Sequence, residues 1–175
     1  MVNLSRAYHR QGEYEKALES LRRGVQLLRK VGARGFVAEG TLQEAELKLE
    51  MGHAQTALRL CQRALKEVQE QGMKIVESRG LRIMGRIQAS LGDYTRAEAN
   101  LRDSIALAGD AGGRYEEGLS LLSLAEVYQR HPDFRWARRN TRAAVRRAVS
   151  IFSSLGAEGD LKKSLQIQAS LNIHF

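Results

Sequence analysis

Residues 12–18 read GEYEKAL, and segments of the same design return every 40 residues as GHAQTAL at 52–58, GDYTRAE at 92–98 and PDFRWAR at 132–138. Each copy begins with a turn-forming glycine or proline and carries an alanine five residues later. An aromatic residue follows the turn in three of the four copies. A period this regular predicts a repeat architecture in which one structural unit is stacked several times.

A second set of glycines divides the first three copies in half. Gly32, Gly72 and Gly112 stand between segments of helix length whose apolar residues recur at three- and four-residue spacing. This spacing indicates two helices per copy. Glycine takes the left-handed conformation that ends a helix and reverses the chain, so we expect each pair to form an antiparallel hairpin.

Small residues recur where the two helices of a pair are expected to approach each other. They occupy two registers at 40-residue spacing, and the second follows the first by twelve residues: Ser5, Ala45, Gly85 and Ala125, then Ala17, Ala57, Ala97 and Ala137. Because none of these side chains is large, the paired backbones can come close together.

The composition favours an all-α domain that needs no crosslinks. The 175 residues include one proline, and 43% are hydrophobic and 27% charged, which is ordinary for a globular domain. The single cysteine, Cys61, cannot form an internal disulfide. No stretch approaches the roughly 20 apolar residues of a membrane span, and the first ten residues lack the apolar core of a signal peptide. We therefore expect a soluble, cytoplasmic protein.

The pattern of a small residue late in the first helix, a glycine-aromatic turn and a small residue in the second helix resembles the tetratricopeptide repeat. The resemblance covers roughly residues 1–155, with units longer than the usual ~34 residues. Lengthened repeats of this kind are similar to those of kinesin light chains and of large bacterial signal-responsive regulators. The resemblance implies an all-α, right-handed superhelix whose concave face, lined by the first helix of each pair, binds a protein or peptide.

The repeats predict a domain plan with a cap at one end. Four repeats are expected at about 1–32, 33–72, 73–112 and 113–155, followed by a capping helix at 156–175 whose apolar stripe is Leu161, Leu165 and Ala169. Since residues 1–11 offer only a short first helix, we expect either a longer parent chain or a partner packed against this end.

Nine residues are predicted to lie on the concave face and bind the partner: Arg6, His9, Leu42, Glu46, Leu49, Arg79, Arg82, Arg86 and Glu126. One register alternates in charge through Arg6, Glu46, Arg86 and Glu126. These side chains either form ion pairs between repeats or select a charged partner. The three arginines of residues 79–86 share a helix face, so they either grip an acidic peptide or are neutralised by Glu39 and Glu46.

A second candidate surface is the arginine-rich segment RWARRNTRAAVRRA at 135–148. On a helix, one side would carry a polyanion patch of Arg135, Arg138, Arg139, Arg142 and Arg146. With a net charge of +8, binding of nucleic acid is the alternative function, while a solvated outer face is the alternative interpretation of the segment.

No catalytic or cofactor motif is recognisable in the sequence. The four histidines are scattered, the cysteine is single, and no glycine-rich loop leads into the lysine of a phosphate-binding loop. We predict a non-enzymatic scaffold with no metal or cofactor that serves as the sensory or regulatory module of a larger bacterial protein. A self-assembling scaffold, joined through exposed solenoid ends, is a further alternative.

Overall fold

The protein is a stack of α-helices joined by short turns. The computed structural model describes residues 2–130 and 134–173, and side chains are described at 4–9, 11–130 and 140–170. Within these residues there is no strand, and nearly all of them lie in helices or in the short turns between helices. The helices are α1 (Val2–Arg10), α2 (Tyr14–Lys30), α3 (Arg34–Glu50), α4 (Ala54–Glu70), α5 (Lys74–Ser90), α6 (Tyr94–Asp110), α7 (Arg114–Arg130), α8 (Phe134–Leu155) and α9 (Glu158–Ile173). The predicted all-α repeat solenoid is confirmed.

The turns follow the glycine register that the sequence displays. Gly52 has a φ of 81°, and the next backbone N–H, that of His53, donates to the carbonyl of Lys48 at 2.8 Å. This is the closing pattern of a helix that ends in a left-handed glycine. Each of the helices α2 to α7 has 17 residues, so the same turn recurs after equal lengths of helix.

Replacing Gly52 by alanine is expected to lower the free energy of unfolding by about 1–2 kcal/mol, because a Cβ is strained at positive φ. Gly109 is the matched control: it lies inside α6, and no atom lies within 4 Å of where its Cβ would be. Gly109→Ala should raise stability by about 0.5–1 kcal/mol through better helix propensity. Urea titrations of both variants measure the two shifts, and equal effects at the two positions would contradict this account of the turn.

The order of packing places one set of helices on the inside of the stack. Consecutive helices pack against each other along the whole chain, and α5 also contacts α3 and α7. The first helices of the pairs, α1, α3, α5 and α7, are the A helices, and the second helices, α2, α4, α6 and α8, are the B helices. Because neighbouring A helices approach more closely than neighbouring B helices, the A helices line the inner side, which we call the concave wall.

The two helices of a pair meet at the small residues. A Cβ on Gly85 in α5 would lie 2.6 Å from Cγ of Leu101 and 2.9 Å from the carbonyl oxygen of Ala97, both in α6. Ser5, Ala45 and the other small residues of this register are buried. The predicted close approach is therefore present, and it is tightest in the third repeat.

The last helix covers the end of the stack with a different face from the one predicted. Leu161 and Ile167 pack against the core of the last repeat, and Ser164 between them is buried. Leu165 is 46% exposed, and Ala169 is also exposed. The predicted stripe was thus wrong at Leu165 and Ala169. The residues of α9 that face the core are spaced by three positions and not by four.

Candidate functional site

Charged side chains of the concave wall form a continuous chain of ion pairs across the A helices. At its beginning, Glu39 in α3 forms ion pairs with Arg6 of α1, at 3.5 Å, and with Arg79 of α5, at 2.7 Å. Arg79 also reaches Glu116 of α7, at 3.4 Å. Through their contacts, Arg79 and Glu39 thus link four successive A helices.

The chain returns towards α3 through Arg82. Its Nε donates to Glu116 at 2.6 Å, and its Nη1 donates to Glu46 at 3.0 Å. Glu46 also accepts from Arg86 at 2.9 Å, and Arg86 reaches Glu50 at 2.5 Å. Since arginines and carboxylates alternate throughout, the wall is balanced in charge.

The ion pairs of one interpretation of the arginines in α5 are present. Glu39 and Glu46 neutralise Arg79 and Arg86, each pair being separated by 40 residues as the register predicted. The alternating ladder is incomplete at its ends, because Arg6 contacts Glu39 instead of Glu46, and Glu126 pairs with Lys163 of α9 at 2.6 Å. The ion-pair interpretation is confirmed for the middle of the wall.

Two of the predicted partner contacts lie inside the protein. Leu42 is fully buried in a core cluster and packs close to Gly80. Arg82 is only 7% exposed, because Glu46 and Glu116 enclose its guanidinium from both sides. We correct both assignments: Leu42 has a core role, and Arg82 holds neighbouring repeats together.

The remaining predicted wall residues reach the surface. Arg6 is exposed, His9 is half-buried with its ring 5.9 Å from that of Tyr14, and Leu49 is half-buried against the core. A cavity of about 160 Å³ lies farther along the wall, where α3, α5 and α7 meet. It is lined by Leu49, Glu50, Arg86, Ala89, Ser123, Glu126, Val127 and Arg130.

The Glu46 carboxylate is held in its charged form by the wall. Burial raises its pKa, but the charges of Arg82 and Arg86 outweigh this effect and lower the pKa from 4.5 to about 2. A lowered folded-state pKa stabilises the protein above the unfolded-state value, and this contribution is lost as the pH falls through the folded-state value.

We therefore expect acid to weaken the fold between about pH 4.5 and pH 2 partly through Glu46. Glu46→Gln should be less stable than the wild type at pH 7, and the difference should shrink as the pH falls across this window. Denaturant titrations at several pH values measure the difference. A gap that stays constant from pH 7 to pH 2 would contradict the assigned pKa shift.

The arginine-rich helix is described in part. Of the predicted polyanion patch, the side chains of Arg135, Arg138 and Arg139 lie outside the described residues. Arg146 is exposed, whereas Arg142 is half-buried. Their neighbour Arg147 pairs with Glu117 of α7, a carboxylate that is 1% exposed and also contacts Arg114 at 2.9 Å.

Sequence reasoning missed Glu116, which binds two arginines of the wall. A signal for it was present: the same register holds Phe36 and Val76 in the preceding repeats. A carboxylate that replaces an apolar residue beside a run of arginines indicates an ion-pair partner. Glu117 carries no comparable signal, because Glu77 occupies its register one repeat earlier.

The described part of the chain lacks two further kinds of feature. There, no three or more histidine, cysteine or acidic side chains are grouped so as to hold a metal ion. Among the same residues, no helix has the length and apolarity needed to cross a membrane.

The first hairpin of the chain matches a known protein family. Residues 1–31, which span the first hairpin, match the family model described as Tetratricopeptide repeat. No curated protein sequence matches the chain. The first hairpin is thus similar to a tetratricopeptide repeat, and the helices that follow repeat the same design; tetratricopeptide repeats generally mediate protein–protein interaction.

Proposed function

From the match of the first hairpin to a protein-binding repeat, we propose that the concave wall binds a segment of a partner protein and that the chain acts as a scaffold. The observation that carries this proposal is the chain of ion pairs from Arg6 to Glu50. It fixes the wall side chains before a partner arrives, so that little side-chain entropy is lost on binding. All-helical repeats of this type are typically non-enzymatic.

The balanced charge of the wall indicates which charges the partner segment carries. Arg79, Arg86, Glu39 and Glu50 each expose about a quarter of their side chains, so donors and acceptors are both offered at the surface. Because these arginines expose so little of their side chains, a purely acidic peptide could reach them only by displacing the carboxylates that already hold them. We therefore propose a partner segment that carries both charges, whose binding depends only weakly on salt.

The cavity beside Glu126 supplies an anchoring point. Leu49, Ala89 and Val127 give it an apolar part, and four charged side chains surround that part. A single partner side chain that fills this cavity would lie where three repeats meet. Buried anchors of this kind dominate the energy of protein interfaces.

The biological setting is proposed from the resemblance of the 40-residue repeats alone. On that basis the chain is a sensory or regulatory module of a larger bacterial protein in the cytoplasm. Such a module would bring a partner to the regulator without changing it chemically.

The test compares a wall variant with a matched variant on the opposite side. Arg86→Ala with Glu126→Ala alters the wall, while Arg59→Ala with Glu70→Ala makes the same chemical changes on α4. Each protein is immobilised and exposed to nuclease-treated lysate, and the recovered proteins are quantified by mass spectrometry. A partner retained by the wild type and the α4 variant but lost from the wall variant is expected. Equal recovery by all three folded proteins would overturn the use of the concave wall.

A second candidate function is polyanion binding by α8. The helix contains six arginines and no acidic residue, and Arg146 is exposed. Such binding would weaken linearly in log–log plots against salt concentration, with a slope set by the number of phosphates contacted. Titration of a labelled oligonucleotide with wild type and Arg146→Ala across a salt series tests this alternative.

Self-assembly is a third candidate, favoured by apolar side chains exposed near the first hairpin. Val31 is 76% exposed and Phe36 is 60% exposed, with Leu27 and Leu4 half exposed as well. A second copy could cover these side chains. Light scattering after size-exclusion chromatography of the wild type and Phe36→Ser distinguishes a dimer joined here from a monomer.

A further inference from the structure

A groove lies between the B helices α6 and α8, on the side of the solenoid away from the concave wall. Its volume is about 360 Å³. The floor is apolar and consists of Ile105 on α6, Leu121 and Leu124 on α7, and Ala144 on α8. This volume falls within the range of about 300–1,000 Å³ that ligand sites occupy.

Two alanines keep this groove open. Ala106 on α6 and Ala143 on α8 are exposed and line it from opposite sides. In the other repeats the register of Ala106 holds Gln26, Lys66 and Arg146, and that of Ala143 holds Arg23, Arg63 and Asp103. Of the three gaps between successive B helices, this one alone has small side chains at both positions. Its cavity is larger than that of the gap between α2 and α4, which measures about 270 Å³.

Arginines stand on both walls of the groove. Arg102 on α6 and Arg147 on α8 expose 59% and 56% of their side chains. Arg102 is held in place because it donates to Glu98 at 2.8 Å and to the hydroxyl of Tyr128 at 3.1 Å. Arg147 is held by the buried carboxylate of Glu117. Each guanidinium group is therefore held by a neighbouring carboxylate, while more than half of its side chain remains exposed.

We propose that this groove binds an acidic amphipathic helix of a partner protein. Apolar side chains spaced one turn apart enter between Ala106 and Ala143 and cover the floor. Carboxylates beside them pair with Arg102 and Arg147, which is the charge complementarity that the arginine-rich helix α8 favours. The surface is separate from the concave wall, so one solenoid holds two partner segments at once.

The same features disfavour nucleic acid as the occupant of this groove. Single-stranded nucleic acid binds on exposed aromatic rings along a basic path. Among the residues whose side chains the structure describes, Tyr128 is the aromatic one that lines the groove, and it is 2% exposed, so it offers no ring face for stacking. The floor instead presents aliphatic surface, which apolar side chains of a protein cover best.

The test is a selection from a phage-displayed library of 16-residue peptides on a helical scaffold, with the full chain as bait. Selected peptides are synthesised, and their affinities are measured by fluorescence anisotropy against four variants. Ala143→Leu fills the groove, and Arg102→Gln removes a cation from its wall. Asp103→Leu and Arg96→Gln are the matched controls, since they place the same new side chains on exposed positions of α6 that do not line the groove.

Binders rich in Asp and Glu with large apolar residues at i, i+3 or i+4 are expected. Their affinity should fall about tenfold or more with Ala143→Leu and with Arg102→Gln, and should be unchanged in both controls. The proposal is overturned if no binder emerges, if the binders are insensitive to Ala143→Leu, or if an oligonucleotide competes for the groove as well as the peptides do. Because no variant alters Arg86 or Glu126, failure here leaves the concave-wall proposal to its own test.

Discussion

Replacement of Arg82 by alanine is expected to lower the free energy of unfolding by about 3–5 kcal/mol, the cost of removing one partner from a buried ion pair. The guanidinium is enclosed by Glu46 and Glu116, whose side chains are 17% and 5% exposed. Without it, two nearly buried carboxylates lose a shared counter-charge. Urea titration followed by circular dichroism measures the loss.

Arg6→Ala is the matched control for this prediction. Arg6 belongs to the same chain of ion pairs, but its side chain is 45% exposed and contacts one carboxylate, Glu39, at 3.5 Å. An exposed pair contributes about 0–1 kcal/mol, so little change is expected. Similar losses for both variants would show that burial does not set the strength of the wall contacts. Loss of a partner on mutation of Arg82 would also reflect unfolding, so this residue is a poor probe of binding.

Replacement of Phe152 by alanine is expected to destabilise the last hairpin by about 3–5 kcal/mol, through lost apolar burial and a residual cavity. Phe152 is fully buried in α8, and its ring packs edge-on against Tyr115 at 6.0 Å. Gly118 makes room for it, since a Cβ there would lie 2.8 Å from the ring. The backbone of Phe152 also accepts from Ala157, at the turn into α9.

Hydrogen exchange shows where this loss occurs. In a solenoid each repeat contacts its neighbours only, so amides of α8 and α9 should lose protection while those of α3 and α4 keep it. Phe36→Ala makes the same chemical change at a side chain that is 60% exposed, and its stability should change by less than about 0.5 kcal/mol. Uniform loss of protection along the chain would contradict the local role of Phe152.

The helices and turns were predictable because they depend on local sequence. Six glycines, at 12, 32, 52, 72, 92 and 112, have positive φ, and each lies in the turn that follows a helix. Ordinary helical periodicity fills the intervals between these glycines. The family resemblance, seen in the sequence over all repeats, is matched by the family model in the first hairpin.

The contacts of the wall were less predictable, because they depend on how neighbouring A helices are offset. The 40-residue register predicts contacts between residues at equivalent positions of neighbouring repeats, and Arg79 does contact Glu39 in this way. Arg82 instead contacts Glu46 and Glu116, which lie 36 and 34 residues away. Helical periodicity also could not place Leu42, since an A helix is flanked on three sides and buries more of its surface than one amphipathic face.

The chain of ion pairs makes the elasticity of the solenoid differ between its two sides. Bending that closes the superhelix compresses guanidinium–carboxylate contacts, whereas bending that opens it stretches them, and the apolar contacts between A and B helices respond little to dissolved ions. Concentrated salt screens charge pairs near the surface and leaves apolar packing in place. We therefore expect concentrated salt to soften the inner side of the solenoid at its exposed pairs, such as Arg6 with Glu39, and to leave the buried contacts of Arg82 in place.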